Sequence, residues 1–332
     1  MRVFVCRRLP QSALDLLTGA FGTNEVGVFP QDRVIPREEL LAAVRGVEAL
    51  LPILTDRVDA EVLEAAGPQL RIVANYAVGY DNVDVPAATA RGVVVTNTPG
   101  VLTETTADLA WTLLMAAARR AGEGERYLRA GRWESWAPML LLGVDVHGKT
   151  LGIYGMGRIG QAVARRARSF DMRVLYHDVA MLPAGIAAQL NAAHVDKATL
   201  LRESDFISVH CPLTPETRHA FGAAEFRAMK RTAVLVNTAR GPIVDEAALA
   251  AALRQGEIFA AGLDVFEHEP GVRAELLACE NAVLLPHLGS ATAETRARMA
   301  EIAAANIIAC LRGDTPPNCL NPEVLRSRGP LR

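Results

Sequence analysis

The fold is decided by the stretch Lys149-Thr150-Leu151-Gly152-Ile153-Tyr154-Gly155-Met156-Gly157-Arg158-Ile159-Gly160. Its apolar part, Thr150–Tyr154, has the length of a strand and leads into three glycines in the G-x-G-x-x-G spacing. Apolar residues then recur at helical intervals as far as Phe170. A second strand-like run, Arg173–Tyr176, is followed by Asp178, roughly 20 residues past the glycines. Strand, glycine turn, helix and acidic residue therefore occur in the order that a dinucleotide-binding βαβ unit requires.

Each residue of this pattern has a physical reason. Gly155 allows a sharp turn out of the strand, Gly157 lets a pyrophosphate approach the backbone, and Gly160 lets the helix pack close to the sheet. The helix N-terminus offers unpaired N–H groups and a partial positive charge to phosphates. Asp178 is placed to accept hydrogen bonds from the adenosine ribose. The alternative is a glycine turn with a purely structural role.

Composition indicates an ordinary globular protein of two domains. The chain has 332 residues, half of them apolar, and a formal net charge of −2. Nothing is basic enough to predict a nucleic-acid surface, and no apolar run reaches the roughly 18 residues of a membrane span. The N-terminal run Met1–Cys6 is expected to be a strand rather than a signal peptide, because it is short and lacks a cleavage site.

The five cysteines are scattered and form no C-x-x-C pair, so we predict neither a disulfide framework nor a metal site. The seven histidines are likewise dispersed. These features favour a cytoplasmic protein.

The first hundred residues alternate between strand and helix patterns. Helices are predicted to begin near Pro10, Pro36 and Asp59. The predicted strands between them are Val3–Cys6, Glu25–Val28, Ala49–Leu54, Arg71–Ala74 and Val93–Thr96. This alternation predicts an α/β fold with a parallel sheet covered by helices.

A long helix is predicted from Thr103, and an irregular segment with Trp133 and Trp136 follows it. An exposed Trp pair in such a segment indicates burial against another surface, which we expect to be a second subunit. A last helix is predicted from about Ala291 to Leu311. The further predicted strands are Phe206–His210, Ala233–Asn237, Gly262–Val265 and Val283–Leu285.

The last three predicted strands are followed by residues that together are suited to reduce a keto acid. Ligands bind beyond the carboxyl ends of strands in open α/β sheets. Arg240 is suited to hold a keto acid, His287 to donate a proton, and Glu269 to pair with His287. Each has an ordinary alternative: a surface ion pair for Arg240, a structural role for His287, and for Glu269 an unremarkable place in an acidic loop. Their shared position at strand ends beside a nucleotide site favours catalysis.

The chain resembles the D-2-hydroxyacid dehydrogenases along almost its whole length, and most of all their glyoxylate/hydroxypyruvate reductase, or 2-ketogluconate reductase, branch. The residues that carry this resemblance are Val78–Asp84, Thr96–Thr103, Gly148–Gly160, Asn237–Asp245, Ala261–Pro270 and Pro286–Thr292.

The resemblance implies an NAD(P)H-dependent reduction of a small 2-keto acid, glyoxylate or hydroxypyruvate, to the D-2-hydroxy acid. It implies a Rossmann-type dinucleotide-binding domain over residues 100–286. A smaller flavodoxin-like α/β substrate domain would comprise residues 1–99 and 287–332, with a cleft between the two domains. A homodimer through the nucleotide-binding domains is also implied.

The resemblance further implies site residues. Arg240 would bind substrate, with Glu269 and His287 as the proton-relay pair. The N–H groups of Val78 and Gly79 would hold the substrate carboxylate, Leu54 would line the pocket, and Trp136 would reach toward the partner subunit. The expected cofactor-binding residues are Thr106, Gly155, Gly157, Arg158, Ile159, Gly160, Asp178, His210, Cys211, Pro212, Thr217, Thr238, Ala239, Asp264, His287 and Gly289.

Asp178 followed by Val179, with no arginine nearby, favours NAD(H) over NADP(H), because a carboxylate repels a 2′-phosphate. A protonated His177 is the feature that would tolerate the phosphate. Two alternatives stay open: another D-2-hydroxyacid dehydrogenase, such as a 2-ketogluconate reductase, and an NAD-sensing corepressor that binds without turnover.

Overall fold

The computed structural model describes residues 1–327, and the chain divides into two compact units. The first unit comprises Met1–Leu102 and the described residues from Ala291 onward, and the second comprises Thr103–Ser290. The divisions at residues 102 and 290 compare with predicted boundaries at 99 and 286. The first unit is therefore built from two separate segments of the chain.

The first unit alternates strands and helices. Its strands are β1 (Val3–Val5), β2 (Val26–Val28), β3 (Ala49–Leu51), β4 (Ile72–Ala74) and β5 (Val94–Thr96). Its helices are α1 (Gln11–Phe21), α2 (Arg37–Ala43), α3 (Ala60–Ala66), α4 (Val85–Ala90), α13 (Ala293–Arg312) and α14 (Glu323–Ser327). All five strands are parallel and stand in the order β2-β1-β3-β4-β5. This is the strand order of flavodoxin-like folds.

Helix α13 packs with the strands of the first unit, although it comes late in the sequence. Thr292 caps its N-terminus through a hydrogen bond from Thr295 N, and Gly313 ends it in a left-handed conformation. Its buried face includes Met299, Ala303 and Ile307, which pack in one apolar cluster with residues of α1, β1, β3 and β4. This packing explains why the two segments form one unit.

The second unit holds seven strands, β6 (Thr150–Tyr154), β7 (Arg173–His177), β8 (Ala192–His194), β9 (Phe206–Val209), β10 (Val234–Asn237), β11 (Ala260–Leu263) and β12 (Ala282–Leu284). Its helices are α5 (Thr103–Ala118), α6 (Ala121–Arg129), α7 (Arg158–Ala167), α8 (Ala184–Leu190), α9 (Lys197–Glu203), α10 (Ala223–Ala228), α11 (Glu246–Gln255) and α12 (Ala274–Leu277).

All seven strands are parallel, in the order β12-β11-β10-β9-β6-β7-β8. Counted within the unit, strands 3-2-1-4-5-6 are those of the dinucleotide-binding fold, with β12 added at one edge. The order reverses between β6 and β9, so the glycine turn after β6 lies at the topological switch point. The two parallel sheets confirm the predicted α/β class.

Two strands of the second unit depart from the prediction by more than one residue at an end. Strand β8 was missed, because Ala192–His194 is a short edge strand without β-branched residues. Strand β11 spans Ala260–Leu263 rather than Gly262–Val265, since its register with β10 begins at Val234↔Ala260. The alanines at its start carry little strand propensity.

Within residues 1–327, none of the helices is long and apolar enough to cross a membrane. The same part of the chain contains no group of three or more His, Cys, Asp or Glu side chains arranged to hold a metal ion.

Candidate active site

The turn after β6 requires glycine at its first position. Gly155 has φ +98°, and a Cβ added there would lie 2.4 Å from the backbone nitrogen of Cys211. Both the backbone conformation and the close approach of the chain after β9 exclude a side chain. The glycine therefore lets the ends of β6 and β9 abut at the switch point.

The other two glycines of the motif differ in what surrounds them. A Cβ on Gly160 would lie 2.3 Å from the carbonyl oxygen of Gly155, so α7 packs too close to the turn for a side chain. A Cβ on Gly157 would meet no atom of residues 1–327 within 4 Å. Gly157 is the N-cap of α7 with φ −69°, a value open to any residue. No described part of the chain requires glycine there, which fits a position kept free for a bound pyrophosphate.

The predicted ribose acceptor lies beside this turn. Oδ2 of Asp178 accepts a hydrogen bond from the N–H of Met156 at 2.6 Å, and Oδ1 accepts one from Ala180 N at 3.3 Å. A carboxylate offers about four acceptor sites, so two such bonds leave capacity for ribose hydroxyls. In the first turn of α7, Arg158 is exposed and Ile159 is partly buried.

His210 and Cys211 are neutral at the end of β9. Burial lowers the pKa of His210 to about 3, and its Nε2 lies 2.8 Å from the hydroxyl of Ser208. Burial raises the pKa of Cys211 to about 12. Neither side chain is charged near neutral pH, so we expect any contribution to cofactor binding to come from shape and backbone groups.

The loop after Cys211 is closed by its own hydrogen bonds. The Thr217 hydroxyl donates to the Pro212 carbonyl at 2.7 Å and accepts from Thr214 N at 2.8 Å. Pro212 and Thr217, both predicted cofactor residues, therefore lie in one ordered turn.

Arg240 follows β10 and is held by the backbone around it. Asn237 Nδ2 donates to the Arg240 carbonyl at 2.9 Å, and the guanidinium donates to the Ala239 carbonyl at 2.8 Å. The next residue, Gly241, begins a 3₁₀ turn, Gly241–Ile243. A Cβ on Gly241 would lie 1.9 Å from the carbonyl carbon of Phe266, so the Arg240 loop packs directly on the loop after β11.

The loop after β11 brings Glu269 to His287. Nδ1 of His287 lies 2.8 Å from Oε2 of Glu269, while Oε1 accepts a hydrogen bond from Phe266 N at 3.0 Å. Burial acts to raise the pKa of Glu269. The hydrogen bond and charge of His287, the Phe266 N–H and the charge of Arg240 outweigh it and lower that pKa. The three predicted catalytic residues therefore lie close together within the second unit.

Asp264 fixes the chain on both sides of His287. Its carbonyl accepts from His287 N at 2.9 Å, and its carboxylate accepts from Leu288 N at 2.6 Å and Gly289 N at 2.8 Å. Burial raises the pKa of Asp264 and outweighs the lowering effect of these bonds. His287 has φ +56°, a left-handed conformation uncommon for non-glycine residues, and these bonds hold it there. The Asp264 side chain thus supports the His287 loop.

Two predicted cofactor residues carry hydroxyl groups close to these loops. Thr106, at the start of α5, donates to the Gly289 carbonyl at 3.1 Å. The hydroxyl of Thr238 is buried and has no hydrogen-bond partner among residues 1–327. A buried hydroxyl without a protein partner can bond to an ordered water or to a bound ligand.

In the first unit, the predicted carboxylate-binding residues lie in the loop after β4. Val78 and Gly79 are partly buried, and their N–H groups donate to no acceptor in the described chain. Leu54, in the loop after β3, is 39% exposed. Trp136 is 80% exposed in the segment between α6 and β6.

Sequence reasoning missed two residues that shape these loops, Gly241 and Asn97. Asn97 Nδ2 donates to the Val78 carbonyl at 2.7 Å. Glycine and asparagine after a strand are common turn residues, so the sequence carried no signal that separates these two from the rest.

Comparisons with known proteins identify the family. The sequence profile for "D-isomer specific 2-hydroxyacid dehydrogenase, NAD binding domain" matches residues 111–289. A glyoxylate reductase of Korarchaeum cryptofilum is 54% identical over 331 residues, which cover 99% of this chain and 98% of that protein.

Solved structures agree. The TT0316 protein of Thermus thermophilus is 49% identical with a TM-score of 0.89, over 96% of this chain and 100% of that one. An NADPH-dependent glyoxylate/hydroxypyruvate reductase of Sinorhizobium meliloti, solved with NADP and malonate, is 34% identical with a TM-score of 0.84, over 99% of each chain. These matches confirm the resemblance inferred from the motifs: the chain belongs to the D-isomer specific 2-hydroxyacid dehydrogenase family and is a nicotinamide-dependent oxidoreductase.

Proposed function

We propose that the protein reduces glyoxylate or hydroxypyruvate to the corresponding D-2-hydroxy acid with NADH. The observation that carries the proposal is the 2.8 Å contact between His287 Nδ1 and Glu269 Oε2, beside Arg240 at the ends of neighbouring strands. The names of the relatives support the substrate class, since the Korarchaeum protein is a glyoxylate reductase. A bound nicotinamide would supply the hydride.

His287 acts as the acid in this proposal. Its Nδ1 is engaged by Glu269, so Nε2 is the ring nitrogen left to give a proton to the keto oxygen. The Glu269 carboxylate fixes the orientation of the ring through this contact. In the opposite direction the neutral ring accepts the proton of the hydroxy acid.

Arg240 binds the substrate through its guanidinium, which presents several N–H donors in one plane. Gly241 and Asn237 hold the loop from which the side chain extends. Arg240→Lys keeps the positive charge but loses the planar array, so we expect a higher KM for the keto acid. The N–H groups of Val78 and Gly79 are proposed to hold the substrate carboxylate, and Leu54 to line the pocket.

The nucleotide is proposed to bind at the switch point of the second unit. Gly155, Gly157 and Gly160, with the N-terminus of α7, would face the pyrophosphate, and Asp178 the ribose. The orphaned hydroxyl of Thr238 and the open space at Gly157 fit such a group. The other proposed contacts come from Thr106, Arg158, Ile159, His210, Cys211, Pro212, Thr217, Ala239, Asp264, His287 and Gly289.

We further propose NAD(H) rather than NADP(H). The Asp178 carboxylate lies beside the glycine turn, and Val179–Pro183 contains no basic residue to receive a 2′-phosphate. The Sinorhizobium relative is named as NADPH-dependent, so family membership alone does not decide the cofactor.

A homodimer is proposed on the basis of apolar surface. Five large apolar side chains between α6 and β6 or at the end of α6 are at least half exposed: Leu128, Trp133, Trp136, Met139 and Leu142. Such a concentration is typical of a surface covered by another chain. Light scattering of the wild type and Trp136→Ser would test it, with a dimer expected for the wild type. We place the activity in the cytoplasm, because none of the five cysteines, all of which lie within residues 1–327, forms a disulfide.

A substrate panel tests the proposal. Glyoxylate, hydroxypyruvate, pyruvate and 2-ketogluconate are assayed with NADH and with NADPH. We expect stoichiometric NADH oxidation with the first two keto acids. Turnover of 2-ketogluconate alone would favour that alternative substrate. Cofactor binding without turnover of any keto acid would contradict the proposal and favour the corepressor alternative.

A further inference from the structure

The loop Ala77–Tyr80 in the first unit has four consecutive carbonyl groups anchored to the protein. The Ala77 carbonyl accepts from Thr98 N at 2.9 Å, and the Tyr80 carbonyl accepts from Val83 N at 2.9 Å. Between them, side-chain amides bind the other two: Asn97 Nδ2 donates to Val78 O at 2.7 Å and Asn75 Nδ2 to Gly79 O at 2.9 Å. Each of the four carbonyl groups therefore accepts a hydrogen bond from another residue of the first unit.

The N–H groups of residues 78–80, unlike the carbonyl groups of the loop, have no hydrogen-bond partner among the described residues. Within residues 1–327, no acceptor receives a hydrogen bond from the N–H of Val78, Gly79 or Tyr80. In a trans peptide the C=O and the following N–H point in opposite directions. A carbonyl group that is hydrogen-bonded to the rest of the first unit therefore directs the N–H of the next residue away from it. Successive outward N–H groups form a concavity that binds anions.

Each hydrogen bond to one of these carbonyl groups therefore fixes the direction of one N–H group. The Val78 carbonyl shares its peptide plane with Gly79 N–H, so Asn97 sets the direction of Gly79 N–H. Asn75 acts in the same way on Tyr80 N–H, and the Thr98–Ala77 backbone bond acts on Val78 N–H. Only two of the three groups thus depend on a side chain.

The two asparagines are firmly held themselves. Asn97 is 7% exposed and Asn75 is fully buried. Asn75 and Asn82 form a reciprocal amide pair, with both N···O distances 3.1 Å. Asn82 also donates to the carbonyls of Ile53 and Asp56 at 3.1 Å, on either side of Leu54. Substitution of either anchoring amide therefore leaves its loop carbonyl without its protein donor.

We propose that Asn97 and Asn75 are positioning residues for the substrate carboxylate. By binding the Val78 and Gly79 carbonyls, they aim the N–H groups of Gly79 and Tyr80 at the carboxylate of the keto acid. Tyr80 N–H is thereby added as a third donor to those of Val78 and Gly79. This inference rests on the proposed function, in which that loop receives the carboxylate.

The test compares Asn97→Ala with Asn321→Ala. Asn321 is a matched control in the same unit: it is 1% exposed and its amide bonds to the Val93 carbonyl, Val95 N and Thr89, but not to the loop. We expect Asn97→Ala to raise the KM for glyoxylate at least about tenfold, because a hydrogen bond to a charged group is worth that much or more. The kcat stays within about threefold, since the carboxylate is bound equally in ground and transition states.

Two further readouts separate positioning from general destabilisation. The inhibition constant of oxalate, a dicarboxylate probe, should rise with KM in Asn97→Ala, while the Kd for NADH stays unchanged. Asn321→Ala should lower the melting temperature without moving either KM or the oxalate constant. If Asn97→Ala does not fold, Asn75→Ala is measured in its place with the same expectations.

The inference is overturned if the folded Asn97 or Asn75 variant has the KM and oxalate constant of Asn321→Ala. That result is distinct from a failure of the proposed function, in which the wild type itself would not oxidise NADH with glyoxylate.

Discussion

His287 Nδ1 and Glu269 Oε2 lie 2.8 Å apart, although 18 residues separate them and they follow different strands. The contact exists because β11 and β12 are parallel neighbours whose carboxyl ends open at the same edge of the sheet. Asp264 completes the arrangement by binding the backbone of His287, Leu288 and Gly289. The contact between His287 and Glu269 is therefore a product of the topology and of one buried carboxylate.

The two directions of the reaction should show opposite pH dependence. Reduction needs His287 protonated, so kcat/KM for glyoxylate should fall as pH rises. Oxidation of the hydroxy acid needs the neutral ring and should fall as pH decreases. Identical profiles in both directions would rule out this proton relay.

The same carboxylate makes stability depend on pH. The pKa of Glu269 is lower in the folded protein than its ordinary value of 4.5. Its ionised form therefore stabilises the fold above that value, and the contribution is lost as pH falls through the folded-state pKa. The difference in melting temperature between wild type and Glu269→Gln should stay constant above the ordinary value of 4.5 and shrink as pH falls below it. A difference that does not change with pH would argue against the pairing.

The glycines of the turn should separate folding from cofactor binding. The added methyl group of Gly157→Ala meets no atom of the described residues within 4 Å, so we expect an unchanged melting temperature but at least about tenfold weaker NADH binding. Gly160→Ala places a methyl group 2.3 Å from the Gly155 carbonyl and should destabilise the fold by about 1–3 kcal/mol. Thermal melts and NADH fluorescence titrations measure both. Equal NADH affinity in Gly157→Ala and wild type would count against a pyrophosphate there.

Asp178 should govern cofactor preference. Asp178→Ala removes both the charge and the bond from Met156 N, whereas Asp178→Asn removes only the charge. If charge repulsion excludes the 2′-phosphate, the preference for NADH should weaken in both variants. The ratio of kcat/KM with NADH to kcat/KM with NADPH should fall by about tenfold or more. The ratio is measured with glyoxylate as substrate. A ratio that stays at the wild-type value in Asp178→Asn would show that charge does not set the preference.

Residue patterns predicted the parallel sheets and the grouping of the three candidate catalytic residues, because both follow from signals that are local in the sequence. Glycine spacing, apolar runs and strand-end polar residues mark β6, β10 and β12 directly in the sequence. Arg240, Glu269 and His287 could be grouped because parallel strands bring their ends together. The short edge strand β8 lacked such a signal, and alanines hid the start of β11.

Side-chain hydrogen bonds to distant backbone groups could not be predicted. The contact of Asn97 with Val78 and that of Asp264 with Leu288 and Gly289 depend on how loops fold back on the sheet. In the sequence, Asn97 is an ordinary turn-forming residue, and Asp264 is one of the predicted cofactor-binding residues. The bond from Met156 to Asp178 is of the same kind, since it joins the ends of two strands that only the sheet brings together.

The most direct measurement is kcat for glyoxylate reduction at saturating NADH in wild type, His287→Gln and His219→Gln. His219 is a matched control, because its imidazole is hydrogen-bonded to Glu267 in the same unit. Loss of a positioned acid should lower kcat about 10²- to 10⁴-fold in His287→Gln, whereas His219→Gln should stay within about threefold of wild type. A kcat in His287→Gln equal to that of His219→Gln would contradict the account.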